Sequence, residues 1–138
     1  MALWLCKVEP TCYSFDDLVR DGSTMWDGVS NALARIHLRQ MKPGDRVFYY
    51  HTGKEKAIVG EMVVASEPKL DPNGDDKAAV AVEMKPVRRL ANLVPLTAIK
   101  AEKSLANWDL VRMSRLSVVP VTKAQWTRVE KLSEKSHA

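Results

Sequence analysis

The stretch from Trp26 to Asp45, WDGVSNALARIHLRQMKPGD, constrains the fold of this chain more than any other segment. It places Trp26 in a turn directly before a helix, which ends at the KPGD sequence and is followed by a tyrosine-rich strand. A tryptophan in a turn is unfavourable unless something covers its ring, and a flat group such as a base or another aromatic would do so. This segment therefore indicates a protein that recognises a planar ligand.

The composition limits the architecture to one domain without a membrane span. The chain has 138 residues, 46% of them hydrophobic, which is enough for one core and too few for two. No apolar run approaches the length of a membrane-spanning helix. Lys7 and Glu9 stand where a signal peptide needs uncharged residues, so we expect an intracellular protein, cytoplasmic or, in a eukaryote, nuclear.

The two cysteines, Cys6 and Cys12, fit a reducing compartment. They lack the spacing and the histidine partners of a zinc site, and the sequence predicts that they act as small hydrophobic residues. We therefore expect neither a metal nor a cofactor.

The net charge of +4 is unevenly distributed along the chain. Residues 1–84 carry 10 Lys or Arg and 13 Asp or Glu, whereas residues 85–138 carry 11 and 4. Such an asymmetry is what a surface facing a polyanion produces. A solvated surface with no partner explains it equally well, so charge alone does not decide the function.

Hydrophobic periodicity and capping signals predict alternating strands and helices. The predicted strands are Trp4–Val8, Arg46–His51, Ala57–Ser66, Ala79–Leu90 and Leu116–Val121. The predicted helices begin at Ser14, Asn31, Pro95 and Thr122. Pro86 implies an edge strand or a bulge, and residues 67–77 form the strongest loop signal. Strands dominating the middle of the chain suggest one barrel-like mixed sheet with helices against its side.

The second predicted helix has an apolar face and a basic face. Three apolar side chains are expected to point one way: Leu33, Ile36 and Met41. Three basic side chains recur at i, i+4 and i+7 along another face: Arg35, Arg39 and Lys42. The basic face is a candidate for holding phosphates.

The sequence offers little support for an enzyme. It has no GxSxG elbow, HExxH motif, Walker loop or dinucleotide glycine fingerprint. His137 falls in a C-terminus that is expected to fray. Lys7 and Glu9 lie two apart on the first predicted strand and would share a face, where they could act as an activated amine and a carboxylate. Any strand contains such spacings by chance, so a surface or ligand-facing pair is the favoured interpretation.

The tryptophans divide into two groups. Trp4 and Trp126 lie in apolar patterns and are expected in the core. Trp26 and Trp108 are flanked by polar residues, and two converging rings could sandwich a base, with stacking worth about 1–3 kcal/mol per base. The alternative, that each ring merely covers the core, is slightly favoured from sequence, and the same ambiguity applies to Tyr13 and Tyr49.

Several polar residues have a structural and a functional interpretation. Asn31 and Ser14 are expected first as helix caps. The amide of Asn31 could also read the edge of a base, and Ser14 could also line a pocket. Arg112, Arg115 and Ser117 place three donors beside the entrance of a strand, where a phosphate could be held.

Four motifs occur in order along nearly the whole chain: WLCKVEPTCYSFDDL, MWDGVSNALARIHLRQMKPGDRVFYYHTG, AIVGEMVV and MSRLSVVPV. Together they resemble the EVE domain family. The resemblance implies an α+β fold, a PUA-like mixed β-barrel with flanking short helices, formed by residues 1–138 as a single domain. The family is related to YTH domains, which read methylated adenine in RNA. Its members are regarded as binders of modified bases in DNA or RNA, held in an aromatic-lined pocket.

The resemblance also implies where the ligand binds. It places the pocket around Tyr13, Ser14, Trp26 and Asn31, closed by the segment Arg115–Ser117. Trp108, from the pattern of the tryptophans, could add a wall, so the predicted base-binding residues are Tyr13, Ser14, Trp26, Asn31, Trp108 and Ser117. From the pattern of basic residues, phosphates should be held by Lys7, Arg35, Arg39, Arg112 and Arg115. The chain departs from the family at Ser30, where a basic residue is usual, and at Trp108, where a smaller apolar residue such as methionine is expected. Either departure can alter ligand choice, so the identity of the ligand does not carry over.

We therefore expect a module that binds a modified nucleobase in single-stranded or flipped-out nucleic acid, and a monomer by default. The first alternative is a small hydrolase acting on a modified nucleoside or a related amide through Lys7 and Glu9. The second is an interaction module whose pocket has lost its ligand.

Overall fold

The computed structural model describes residues 1–71 and 79–135. The strands are β1 (Leu3–Val8), β2 (Thr24–Trp26), β3 (Arg46–His51), β4 (Ala57–Val64), β5 (Lys69–Leu70), β6 (Val80–Pro95) and β7 (Val118–Val121). The helices are α1 (Phe15–Asp21), α2 (Ala32–Gln40), α3 (Leu96–Ala101), α4 (Asp109–Arg112) and α5 (Lys123–Ser133), with a 3-10 turn at Lys103–Leu105. The predicted loop positions 72–77 and His137 lie outside the described residues.

The strands form one mixed sheet in the order β2-β6-β4-β3-β1-β7, with β5 paired to β6. The pairing of β1 with β3 is parallel, and the other pairings are antiparallel. Register shifts interrupt β3–β4 and β4–β6. Such bulges bend strands and increase their twist, which lets a sheet curl.

The curl is visible in one contact between distant strands. In the sheet order, β2 and β3 are three strand spacings apart, which would be about 14 Å in a flat sheet. The ring centroids of Trp26 on β2 and Tyr49 on β3 are only 5.6 Å apart. The sheet therefore curls into a half-barrel, and these two rings meet in its interior.

The two faces of β3 pack against different elements. Tyr49 is fully buried and meets Phe15 of α1 edge-on, with ring centroids 5.3 Å apart. The adjacent Phe48 stacks on Trp126 of α5, with ring centroids 3.6 Å apart. Because successive side chains of a strand point to opposite faces, α1 covers the inner face and α5 the outer one.

Several predicted elements need correction: β4 ends at Val64 rather than Ser66, and β7 begins at Val118 rather than Leu116. β6 runs to Pro95, beyond the predicted end at Leu90, and the strand β2 was not predicted. The bulge predicted at Pro86 is confirmed, because Met62 pairs with Pro86 while Glu61 pairs with Arg88. Pro86 is tolerated inside the sheet because the ladder is interrupted there.

The apolar face predicted for α2 was partly wrong. Ile36 is 47% exposed, whereas Ala34, Leu38 and Met41 are buried. These three follow the spacing i, i+4 and i+7, and the small Ala34 side chain lets the helix approach the sheet closely. Leu33 is only partly buried against the core.

The two cysteines do not form a disulfide with each other, and their environments differ. Cys6 is buried in β1, as expected for a small hydrophobic residue. Cys12 is exposed in the β1–α1 connection, so the same prediction was wrong for it. Within the described ranges, no helix is both long and apolar enough to cross a membrane.

Candidate base-binding site

A concavity of about 220 Å³ opens between the β1–α1 connection and β2. It is lined by Val8, Tyr13, Thr24, Met25, Trp26 and Asp27. This is smaller than the roughly 300–1,000 Å³ of clefts that hold drug-sized ligands, and it suits a single flat ring system. We call it the base concavity.

Trp26 lines the base concavity but is mainly a core residue. Trp26 is 7% exposed and lies in β2, where it pairs with Val82 of β6. The prediction of a tryptophan exposed in a turn was wrong, because the curled sheet brings Tyr49 against the ring with the two planes 89° apart. Trp26 therefore offers a ligand only a small part of its surface.

Tyr13 forms the more exposed wall of the base concavity. Its hydroxyl donates to Asp21 Oδ2 at 2.8 Å, and its backbone carbonyl accepts from the Tyr49 hydroxyl at 2.5 Å. Partial burial and the hydrogen bond to Asp21 raise the pKa of Tyr13. The ring is thus held from both ends, which reduces the conformational entropy that a ligand would have to remove.

Ser14 and Asn31 act as the helix caps expected of them. Ser14 Oγ accepts from the Asp17 backbone N–H at 3.1 Å, and Asp17 Oδ2 accepts from the Ser14 N–H at 2.9 Å. Asn31 Oδ1 accepts from the Ala34 N–H at 2.9 Å. If Asn31 also reads a base, it must do so with an amide whose oxygen already accepts a hydrogen bond from the helix.

Lys7 lies on the opposite face of the sheet from the base concavity, and Ser117 does not line that concavity. Lys7 Nζ donates to the Ser114 carbonyl at 3.2 Å and lies 5.8 Å from the Tyr50 ring centroid. Tyr50 follows Tyr49 on β3, and Tyr49 points towards Trp26, so Lys7 faces away from it. The Lys7 backbone N–H donates to the Ser117 carbonyl. Burial lowers the pKa of Lys7.

Trp108 is a core residue that the structure does not bring to Trp26. Its side chain is 2% exposed, and its Nε1 donates to the Pro120 carbonyl at 3.1 Å. This geometry matches the interpretation that Trp108 covers the core. The two tryptophans form no sandwich, since the ring that meets Trp26 is Tyr49.

The basic residues predicted to hold phosphates do not line the base concavity. Arg35 folds back on the α2 entrance, with Nε donating to the Val29 carbonyl at 2.6 Å. Arg112 forms an ion pair with Asp109 at 3.8 Å and is 62% exposed. Arg39 and Arg115 are exposed. Their contacts with phosphates stay predictions.

The pairing of Lys7 with Glu9 on one strand face was wrong. β1 ends at Val8, and Glu9 belongs to the following turn. Glu9 Oε2 accepts from Thr52 Oγ1 at 3.4 Å, so the carboxylate lies at the β3–β4 turn. The Lys7 amine lies near Ser114 instead, and the two groups do not form a catalytic pair.

Sequence reasoning missed Asp27 as a residue of the site. Partial burial and the neighbouring Asp71 carboxylate raise the pKa of Asp27. Asp71 Oδ2 accepts from the Gly28 N–H at 3.2 Å, which fixes the turn after Trp26. The WDG motif contained the signal, but an Asp beside Gly is also the usual composition of a turn. In the part of the chain that the structure describes, no group of His, Cys, Asp or Glu could hold a metal ion.

The curled mixed sheet flanked by short helices is the PUA-like α+β barrel that the resemblance implied. The match to the family model covers residues 2–132, described as the EVE domain, so the chain belongs to the EVE domain family. Human thymocyte nuclear protein 1 is 32% identical to it, over 96% of this chain and 74% of that protein.

Solved structures agree with this assignment. An NMR structure of a Rhodopseudomonas palustris protein is 40% identical, with a TM-score of 0.92 over 97% of this chain and 94% of that one. The crystal structure of human THYN1 in complex with 5-methylcytosine-containing DNA is 31% identical, with a TM-score of 0.89 over 98% of this chain and 99% of that one. An ASCH protein of Zymomonas mobilis, 11% identical with a TM-score of 0.63, shares the fold alone.

Proposed function

We propose that this protein is a nucleic-acid-binding module that recognises a modified nucleobase in the base concavity. The observation that carries the proposal is the concavity itself, with one half-buried tyrosine wall and a tryptophan at its back. The human THYN1 crystallised with 5-methylcytosine DNA has the same fold at 31% identity, which supports a base as the ligand.

Each lining residue has a chemical task in this proposal. The Tyr13 ring and Met25, which is 40% exposed, provide apolar contact for the base and its added group. The Asp27 carboxylate accepts hydrogen bonds from an exocyclic amino group, as carboxylates do with cytosine. Because the base concavity has room for a single ring system, the base must be unstacked, either in a single strand or flipped out of a duplex.

The wider role follows from the same chemistry. Residues 1–138 work as one domain and a monomer, and contacts from Arg39, Arg112 and Arg115 add sequence-independent attraction to phosphates. Nucleic acid as the partner suits an intracellular location, and one relative, human thymocyte nuclear protein 1, is nuclear by name.

Catalysis is the weaker candidate. The hydrolase alternative required the Lys7 amine and the Glu9 carboxylate to act together. Lys7 Nζ is bound to the Ser114 carbonyl, and Glu9 is bound to Thr52 at the β3–β4 turn. A reader that stacks and hydrogen-bonds a base needs no such pair.

The test compares matched oligonucleotides that differ only in one base: 5-methylcytosine against cytosine, and N6-methyladenine against adenine. Tyr13→Ala should reduce the preference for the modified base by about tenfold to a hundredfold, the equivalent of roughly 1–3 kcal/mol of stacking. Binding to the unmodified strand should change little, because phosphate contact is a separate contribution.

Trp108→Phe is the matched control, because it alters a buried aromatic outside the base concavity. This variant should lose stability and keep the preference. Trp26→Ala is a poorer choice, since removing a buried tryptophan leaves a cavity and costs about 3–5 kcal/mol of stability. A wild-type protein without preference in either pair, or one that converts the modified strand to a new product, would contradict the proposal.

A further inference from the structure

A second depression, of about 250 Å³, lies between the β3–β4 turn and α3. It is lined by Lys54, Glu55, Lys56, Pro95, Leu96, Thr97 and Lys100. All three lysines are exposed. We call it the lysine cleft, and neither the sequence motifs nor the base concavity accounts for it.

The two sides of the lysine cleft are joined by a backbone hydrogen bond, and the cleft lies close to the base concavity. The Leu96 N–H donates to the Lys56 carbonyl at 2.8 Å, which joins the β3–β4 turn to α3. The Thr52 N–H donates to the carbonyl of Val8 at 2.9 Å, and Val8 lines the base concavity. Lys54 follows Thr52 by two residues, a span of at most about 7 Å of extended chain. The two depressions are therefore neighbours.

The charge of the lysine cleft is not neutralised within the protein. Its one carboxylate, Glu55, is directed at His51, with Oε1 3.0 Å from Nδ1. Within residues 1–71 and 79–135 no carboxylate pairs with Lys54, Lys56 or Lys100. Three like charges around one depression repel each other, and a bound anion would remove that repulsion.

Most of the arginines, in contrast, are engaged with carboxylates. Arg46 and Arg88 both bind the buried Glu61, at 2.6 and 2.9 Å. Further pairs are Arg20 with Asp17, Arg89 with Asp16, and Arg128 with Glu102. Lysine binds phosphate as a compact charge with rotatable donors and needs no fixed planar geometry. The lysine cleft is thus better suited to a flexible phosphodiester chain than these paired guanidinium groups are.

We infer that Lys54, Lys56 and Lys100 bind the backbone phosphates next to the base that occupies the base concavity. This inference rests on the proposed function, because it takes the same strand as the ligand. It assigns the principal phosphate contacts to the β3–β4 turn and α3, and leaves the basic face of α2 a secondary role.

The test uses the double variant Lys54→Gln/Lys100→Gln. The control is Lys123→Gln/Lys131→Gln, which removes the same charge from exposed lysines of a separate depression on α5. Dissociation constants for matched single strands, with 5-methylcytosine or cytosine at one position, are measured between 50 and 200 mM salt. Thermal unfolding of all three proteins confirms that each is folded.

Each phosphate contact contributes about 0.7 to the slope of log affinity against log salt on a single strand. Losing two contacts lowers the slope by about 1.4, so the wild-type affinity should fall about sevenfold more than that of the cleft variant over this range. Both strands should be affected alike, leaving the preference for the modified base unchanged. The control variant should keep a slope closer to that of the wild type.

The outcomes separate this inference from the proposed function. Suppose that the wild type prefers the modified strand and that the slope of log affinity against log salt falls only in the control variant. This result would overturn the role of the lysine cleft and leave the reader function standing. If instead the wild type showed no preference for the modified strand but the salt slope fell in the cleft variant, the reader function would be refuted and the phosphate site retained. Binding that does not depend on salt in any protein would also overturn the inference.

Discussion

The Tyr49 hydroxyl donates a 2.5 Å hydrogen bond to the backbone carbonyl of Tyr13. The ring of Tyr49 also meets Trp26 edge-on at 5.6 Å and Phe15 at 5.3 Å. Tyr49 itself is fully buried and does not line the base concavity. One residue behind the site thus supports both of its aromatic walls.

Tyr49→Phe should therefore weaken both folding and recognition. The substitution keeps the ring but leaves the Tyr13 carbonyl without its donor, which typically costs about 1–3 kcal/mol for a buried group. Tyr13 becomes less well positioned, so the preference for a modified base should fall as well. Denaturant unfolding and binding to matched oligonucleotides measure the two effects.

Tyr50→Phe is the control for that variant. Tyr50 is 3% exposed on the other face of β3, and its hydroxyl makes no hydrogen bond within the described residues. Removing this hydroxyl should change stability less and leave the base preference intact. Equal losses in the two variants would show that Tyr49 does not act through Tyr13.

Local signals explain which parts of the fold were predictable. The strand Arg46–His51 was predicted with its observed bounds, because its four central side chains are apolar or aromatic and a turn follows directly. The helix beginning after Ser14 and the one after Thr122 were located by capping boxes. These interactions join residues three positions apart, so they can be read from a short window of sequence.

The burial of the candidate site residues was not predictable in the same way. Trp26 pairs with Val82 and packs on Tyr49, and both partners are distant in sequence. Which side of β1 faces the base concavity also depends on how the sheet curls. A two-residue periodicity separates Lys7 from its neighbours but does not say which face is the inner one.

Ser14→Ala should destabilise the fold without changing the preference for a modified base. The loss of an N-cap side chain typically costs about 1 kcal/mol. The preference should survive, because the Ser14 hydroxyl is used by the α1 cap and Ser14 does not line the base concavity. Unfolding and oligonucleotide binding test this together, and a loss of preference at unchanged stability would give Ser14 a direct ligand role.

The same capping box predicts a loss of stability in acid. The hydrogen bond from the Ser14 backbone N–H, with help from Arg20, lowers the pKa of Asp17 below its ordinary 3.8. Because its pKa is lower in the folded state, Asp17 stabilises the folded protein above pH 3.8. This stabilisation is lost as the pH falls through the pKa of the folded state. Asp17→Asn should therefore be less stable than the wild type at neutral pH, and the two should converge in strong acid. Unfolding curves across pH 2–7 check this, and a constant difference would contradict it.

Gly60→Ala should disturb the inner face of the sheet. A Cβ at Gly60 would lie 2.5 Å from Phe15 Cε1 and 2.6 Å from its Cζ. Phe15 is 1% exposed and packed on Tyr49, so its ring has little room to move, and overpacking of this kind costs about 1–3 kcal/mol. The shift should also reach Tyr13 through Tyr49 and weaken the base preference. Gly44→Ala is the control, because its strain comes from a φ of +95° in a turn, and the added Cβ would have no neighbouring atom within 4 Å. This variant should lose stability but keep the base preference.

The last prediction uses two carboxylates near Tyr13 whose pKa values are shifted in opposite directions. Partial burial and Asp71 raise the pKa of Asp27, whereas hydrogen bonds from Arg20 and Tyr13 lower the pKa of Asp21. Because the pKa of Asp27 is raised, its contribution to stability is complete below pH 3.8. That contribution is lost as the pH rises through the pKa of Asp27 in the folded state. At neutral pH the ionised Asp27 therefore opposes folding, while the ionised Asp21 favours it.

Asp27→Asn should accordingly be more stable than the wild type at neutral pH, and Asp21→Asn less stable. Both differences should shrink towards zero below pH 3, because the wild-type carboxyls are then progressively protonated in the folded and unfolded states alike. Chemical unfolding of the three proteins at a series of pH values measures the differences directly. If Asp27→Asn were destabilising at neutral pH, the Asp27 carboxylate would have to be engaged by a favourable partner in the folded protein. Its availability to accept a hydrogen bond from a base would then be refuted as well.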